Sequence, residues 1–140
     1  MIKVYTYVVG DLFHIGHLRC LQQAKLLGDY LIVGVLTDEA AVEYKREPII
    51  PFEERLEVIR NIKCVDEVTI QRSVDPTDNL RMLRPDILTH GDDWNEDFPG
   101  ANYMRSIGKK AIRTEYYPWQ STTKIIERIR NEGSRYQGGT

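Results

Sequence analysis

Apolar positions along this chain fall into short blocks whose spacing alternates between the strand period and the helix period. Met1 to Val9 is rich in β-branched and aromatic residues and predicts a strand. Leu18, Leu21 and Ala24 then share one face of a helix. Asp29 to Thr37 is an unbroken apolar run, the pattern of a central strand covered on both faces. Asp38 to Pro51 is polar and charged and reads as a connection. Phe52, Leu56, Ile59 and Ile62 return to helical spacing, with Pro51 suited to the first turn and Glu53 and Glu54 at the positive end. Val65 to Gln71 predicts a third strand, Asp75-Pro76 a turn, Asn79 to Leu83 a short helix and Pro85 to His90 a fourth strand. Pro99 to Gly108 predicts a helix stopped by Gly108, and Lys110 to Tyr117 a fifth strand. Ser121 caps a last helix that turns Ile125, Ile126 and Ile129 inward.

Alternation of this kind predicts an α/β fold: a single Rossmann-like domain over residues 1–132, with a five-stranded parallel sheet and helices on both faces. Residues 133–140 read as a frayed tail or linker, which leaves room for the chain to be one domain of a larger enzyme. In such sheets ligands bind beyond the carboxyl ends of the strands. His14, Gly91 and Ser121 follow predicted strands one, four and five, so they should meet on one rim. The 140 residues suffice for a core without staples, and 41% hydrophobic with 29% charged is ordinary for a globular protein. A net charge of −2 weighs against nucleic acid as a partner. No apolar run is long enough to span a membrane and no signal peptide is visible, so a cytoplasmic location is expected. Cys20 and Cys64 read as free thiols, and the histidines and cysteines lack the spacing of a structural zinc site.

The candidate chemistry starts at His14-Ile15-Gly16-His17. Two imidazoles three residues apart at a helix start point the same way. The helix end adds free N–H groups and a positive dipole, a site for phosphate. Gly16 leaves room for close approach of a ligand. Taken alone, the pair could equally be surface histidines or part of a metal site. Asp11 preceding it, directly after the first strand, favours nucleotide phosphate. Lys45, Arg46 and Arg55 supply three cations after the second strand, either a solvated charged run or a clamp for a leaving pyrophosphate. Gly91-Asp92-Asp93-Trp94 could bind Mg²⁺, cap a helix or form a turn. Ser121-Thr122-Thr123 makes either an ordinary cap or a second anion site.

The stretch Asp11-x-x-His14-x-Gly16-His17 resembles the signature of the HxGH nucleotidyltransferase superfamily, and the chain from Lys3 to about Arg130 is similar in pattern to cytidylyltransferases, glycerol-3-phosphate cytidylyltransferases in particular. Class I aminoacyl-tRNA synthetases share the four-residue motif, but their Lys-Met-Ser-Lys-Ser type motif has no counterpart here. The resemblance implies CTP as donor, Mg²⁺ held mainly by its phosphates, and a homodimer. It implies His14, His17, Lys45 and Arg55 as catalytic residues. Val9, Gly10, Asp11, Gly16, Gly91, Asp92, Asp93, Ser121, Thr122 and Thr123 would bind the nucleotide, and Asp11 would orient a histidine or help hold the metal. Lys63, Trp94, Arg113, Tyr116, Tyr117 and Lys124 are the candidates for the acceptor.

Three departures bear on that acceptor. The family begins Gly-Thr-Phe-Asp where this chain has Val8-Val9-Gly10-Asp11, so position 8 lacks a small residue. Lys63 replaces the arginine of an Arg-Tyr-Val-Asp-Glu-Val stretch. The family's Arg-Thr-Glu-Gly-Ile before Ser-Thr-Thr has two alignments here. Either Tyr116 and Tyr117 take the Arg-Thr places, or the loop is three residues longer and Arg113 keeps its role. The expected activity is transfer of CMP from CTP to a small phosphate or phosphonate acceptor with release of pyrophosphate. Glycerol-3-phosphate leads. Phosphocholine, phosphoethanolamine, 2-hydroxyethylphosphonate and 2-aminoethylphosphonate are the alternatives. An adenylyltransferase of the same fold and a non-catalytic nucleotide-binding module are the two competing classes.

Overall fold

β-Branched and apolar residues in β1 (Lys3–Val8) and β2 (Tyr30–Leu36) build the centre of the sheet. The computed structural model describes residues 1–91, 95–115 and 117–133. The remaining elements, in order, are α1 (Ile15–Leu26) between those strands, then α2 (Asp38–Tyr44), α3 (Phe52–Arg60), β3 (Glu67–Gln71), α4 (Thr77–Leu83), β4 (Ile87–His90), α5 (Ala101–Ser106), β5 (Lys110–Arg113) and α6 (Thr122–Gly133). Five strands pair in the order β3-β2-β1-β4-β5, all parallel. β1 meets β2 in register from Lys3↔Tyr30 to Val8↔Val35, and β4 through Val4↔Ile87. This is the Rossmann-like sheet expected from the sequence. The chain winds outward from β1 to β3 and then returns to β4 on the other side of β1. The strand order therefore reverses between β1 and β4, and a crevice opens at their carboxyl ends.

Alternation along the strands divides the core into two layers. Val4, Leu31, Val33 and Val35 pack with Leu21 and Ala24 of α1 and Ile59 of α3. Tyr5, Tyr7, Ile32, Leu36 and Leu88 pack on the other face with Ala40 of α2, Leu80 of α4, and Ala101 and Met104 of α5. Period-2 strands buried on both faces force this arrangement, because successive side chains leave opposite sides of the sheet.

Three details differ from the sequence expectation. Asp38 to Tyr44 is helix, not connection. Thr37 caps it, its hydroxyl accepting from the Ala40 amide at 3.2 Å, and Asp38 and Glu39 occupy the favourable first turn. β5 ends at Arg113 rather than Tyr117. Past Thr114 the backbone leaves the sheet and pairs with α1, where the Glu115 amide donates to Gln23 Oε1 at 2.9 Å. Ile129 faces solvent at 60% exposure. Ile125 and Ile126 are partly covered while residues 127–131 are exposed, so α6 packs through its first turns only.

Candidate active site

The turn from β1 to α1 is tight. Gly10 (φ 71°) and Leu12 (φ 48°) both adopt left-handed backbone, which glycine tolerates and leucine adopts at a cost of about 1–2 kcal/mol. The reversal delivers His14 to the N-cap of α1. His14 Nδ1 accepts from the Gly16 amide at 3.0 Å, and His17 Nδ1 accepts from the His14 amide at 3.2 Å. This is a capping box built from two imidazoles. Their centroids lie 3.9 Å apart, and Phe13 lies against His17 at 5.3 Å. A Cβ on residue 16 would approach His14 Cε1 to 2.8 Å, so Gly16 makes room for the His14 ring as well as lining the cleft.

The second wall is the segment after α2. The Asp11 carboxylate is 4% exposed and accepts from the Ile49 and Ile50 amides, both at 2.9 Å. Asp11 thus anchors this loop to the β1–α1 turn. Its engagement with the loop does not match the expectation that it orients a histidine, since both cap bonds of the histidines go to backbone amides. Arg55 lies beneath the loop, 1% exposed. Its Nε donates to Ile50 O at 2.9 Å, Nη1 to Leu36 O at 2.8 Å and to Val9 O, and Nη2 to Asp38 at 2.7 Å. The guanidinium joins the ends of β1 and β2 to the loop and does not reach the cleft, contrary to the clamp role expected from its charge. Lys45 and Arg46 do line the cleft.

The third wall is the start of α6. Ser121 Oγ accepts from the Lys124 amide at 3.1 Å, the expected cap, and Thr122 Oγ1 donates to Asp11 O at 2.9 Å. Arg46 Nη1 reaches across to Thr123 Oγ1 at 3.3 Å. His90 and Gly91, at the end of β4, form the fourth side, with His90 stacked on Tyr7 at 4.3 Å and 12°.

One cleft at the β1/β4 switch point therefore gathers Val9, Asp11, His14, Gly16, His17 and Lys45 with Gly91, Tyr117, Ser121, Thr122 and Thr123. Gly10 lies in the turn behind it. Three other predicted residues do not line it: Lys63 is exposed, Arg113 pairs with Glu96 at 3.9 Å, and Lys124 Nζ donates to Pro118 O at 2.6 Å. Asp92, Asp93, Trp94 and Tyr116 lie outside the described residues. Sequence reasoning missed Tyr7, Cys20, Tyr44, His90 and Gln120, which also line the cleft. Strand-end position was the available signal for His90; the others carry none without the fold.

The chemistry of this cleft is that of an anion site. The N-termini of α1 and α6 both open onto it, Lys45 and Arg46 add charge, and the one acidic lining residue among those described, Asp11, is spent on two amides. Burial holds the His14 pKa below its ordinary value. Burial, reinforced by His14, lowers that of His17 to about 3, so both rings are neutral near pH 7. No group of three or more His, Cys, Asp or Glu side chains is placed to hold a metal among the described residues. With Asp11 committed, the described donors do not fit a resident Mg²⁺. No helix among the described residues is long and apolar enough to cross a membrane.

Residues 10–130 match the family model described as cytidylyltransferase-like. This chain belongs to the cytidylyltransferase-like family. Members of curated standing with which it aligns include the bifunctional protein HldE of Syntrophotalea carbinolica, 34% identical over 97% of this chain and 28% of that protein. The bifunctional protein HldE of Helicobacter pylori is 35% identical over 91% of this chain and 27% of that protein. The chain thus spans little more than a quarter of these relatives. Among family structures, the lipopolysaccharide core biosynthesis protein of Thermoplasma volcanium superposes with a TM-score of 0.74 at 32% identity, over 84% of this chain and 98% of that one.

Proposed function

We propose that this chain transfers a cytidylyl group from magnesium-bound CTP to an oxyanion of a small phosphate or phosphonate, releasing pyrophosphate. The observation that carries the reading is the convergence of two helix N-termini, two neutral histidines and two cations on one cleft at the strand-order reversal. In the reaction, an acceptor oxygen attacks the α-phosphorus of the nucleotide. A new P–O bond forms, the bond to the β-phosphate oxygen breaks, and that oxygen leaves with pyrophosphate. The acceptor oxygen is anionic near neutral pH, so the chain's task is positioning and charge stabilisation. His14 and His17 donate to the phosphates around the breaking bond. Lys45 and Arg46 neutralise the departing pyrophosphate, and the α6 N-terminus with Thr122 and Thr123 holds the remaining oxygens. Magnesium enters as part of the nucleotide substrate.

Glycerol-3-phosphate remains the first acceptor to test, on the resemblance of Gly91-Asp92-Asp93-Trp94. A sugar phosphate is the second, favoured by similarity to the Thermoplasma protein named for lipopolysaccharide core biosynthesis, since such a core is built of sugars. The test is pyrophosphate release with magnesium, crossing CTP and ATP against phosphate, phosphonate and sugar-phosphate acceptors. Release with CTP and one acceptor supports the reading and identifies the substrate. Release with ATP alone moves the donor to adenylyl transfer. Silence throughout, with CTP still bound by calorimetry, favours a binding module. His14→Ala should lower turnover by about 10²–10³-fold with an unchanged circular dichroism spectrum; undiminished turnover removes His14 from the mechanism.

A further inference from the structure

Hydrogen bonds close a ring around the mouth of the cleft, and Asp11 enters it twice, through its side chain and through its backbone. Each carboxylate oxygen accepts one amide, Ile49 N–H on Oδ2 and Ile50 N–H on Oδ1, both at 2.9 Å. Ile50 is held at its carbonyl too, which accepts from Arg55 Nε at 2.9 Å. At the other end of this segment the Lys45 amide donates to Ala41 O at 2.9 Å and closes α2. Lys45 thus sits at one fixed point, and Arg46 lies between it and the next. On the opposite wall the backbone carbonyl of Asp11 accepts from Thr122 Oγ1 at 2.9 Å, and Arg46 Nη1 donates to Thr123 Oγ1 at 3.3 Å to complete the ring. The Thr122 hydroxyl has a single proton and spends it on Asp11, so Thr122 meets an anion through its N–H.

We propose that Asp11 is a positioning residue that sets the gap between two walls of the site: its carboxylate fixes the segment bearing Lys45 and Arg46, its carbonyl fixes the N-terminus of α6, and it touches neither nucleotide nor metal. What fills the gap rests on the function proposed above; the tie between the walls does not. A carboxylate that is 4% exposed, with an N–H on each oxygen, cannot swing without breaking a charge-assisted bond. Magnesium demands near-octahedral oxygen ligands, and a carboxylate turned to it would release at least one of the two amides. The walls carry complementary parts of an anion site, cations on one and helix N–H groups on the other. Their separation decides whether one polyphosphate can touch both, and a misplacement of about 1 Å is enough to cost about 10²-fold in rate. An uncharged amide of the same size cannot take over, because it has one oxygen and sets its NH₂ against the second N–H.

Amide hydrogen exchange in the full chain, with magnesium pyrophosphate as the probe, tests the proposal. In the wild type the Ile49 and Ile50 amides should exchange slowly, and saturating magnesium pyrophosphate should not speed them. Faster exchange at either amide on adding the probe would mean that the carboxylate leaves for the metal, and overturns the proposal. Asp11→Asn should speed exchange at these two amides by about 10-fold or more and weaken magnesium pyrophosphate by about 10–100-fold, with an unchanged magnesium requirement. Because Asp11 acts through the segment it holds, Lys45→Ala should then cost little more: the double variant should bind within about threefold of the weaker single variant. A merely structural role would lower the urea midpoint and leave the two losses multiplicative, which also overturns the proposal. If Asp11→Asn does not fold, the wild-type exchange with and without the probe decides. Failure of the wild type to bind magnesium pyrophosphate would count against the proposed reaction, while exchange without the probe still tests the tie.

Discussion

Arg55 and Lys45 carry the same charge, and the fold puts them to different uses. Arg55 donates to three carbonyls and one carboxylate from a fully buried position. Removing it leaves the buried Leu36 carbonyl without this donor while the half-exposed Asp38 carboxylate turns to water, a loss of about 1–3 kcal/mol. Arg55→Ala should therefore lower the urea midpoint by that equivalent. Lys45 is exposed at the end of α2, its ammonium 5.6 Å from the Tyr44 ring centroid. Lys45→Ala should change stability by less than about 0.5 kcal/mol. It should still cost about 10–100-fold in turnover, as expected for a group that meets developing charge. Equal unfolding midpoints for the two variants would contradict this division of labour. The sequence shows two cations after the second strand and the start of a helix. It cannot show that one is long enough to reach Val9 and Leu36, which only the packed sheet brings together.

Among the elements, α1 depends on acid-sensitive caps. Its first turn has no acidic residue, and imidazole nitrogens occupy the places usually filled by Ser, Asp or Glu. The His17 pKa is about 3 in the folded chain against about 6.5 when unfolded. Below pH 6.5 the unfolded state binds a proton that the native state refuses, so stability is full above 6.5 and falls as pH drops toward 3. The slope for one such group is about 1.4 kcal/mol per pH unit. Between pH 6.5 and 5, above the range where carboxylates protonate, urea unfolding should show this loss in the wild type and less of it in His17→Asn. Equal slopes would mean that the cap is not what titrates. α2 teaches a related lesson: Thr37, Asp38 and Glu39 are sound helix-start signals, yet the charge-rich run after them reads as a connection until Ala40 and Ala41 are seen packed against the sheet.

Across the whole molecule, a polar network passes through the apolar layers and locks strands that are distant in sequence. Tyr5 Oη donates to Gln71 Oε1 at 2.6 Å and accepts from Asn79 Nδ2 at 3.0 Å, which ties β1 to β3 and α4 over the intervening β2. The space for it is Gly34, where a Cβ would lie 2.0 Å from Tyr5 Oη and 2.6 Å from Gln71 Oε1. Gly34→Ala should cost at least about 1–3 kcal/mol, the usual penalty of overpacking, with turnover per folded molecule unchanged. A thermal melt and an active-site titration check both halves; an unshifted melt would show that the network yields without cost.

Local pattern determined much of this protein. Strand and helix periods and continuous apolar runs sufficed for the parallel sheet and the rim that bears the site, while many of the cleft's lining residues were named through the family resemblance that begins at the Asp11-to-His17 motif. Those features are legible because each is set by neighbours a few residues apart: side-chain alternation, helix caps and the handed connection between parallel strands. Tertiary structure alone decided which polar groups are spent. Asp11 looks like a metal or histidine partner until Ile49 and Ile50 arrive at its oxygens, and Arg55 looks like a phosphate clamp until three carbonyls surround it. His90 looks like the end of a strand until β1 sets Tyr7 against it. A donor's role depends on which acceptor lies within about 3 Å, and that distance is set by the packing of segments far apart in the chain.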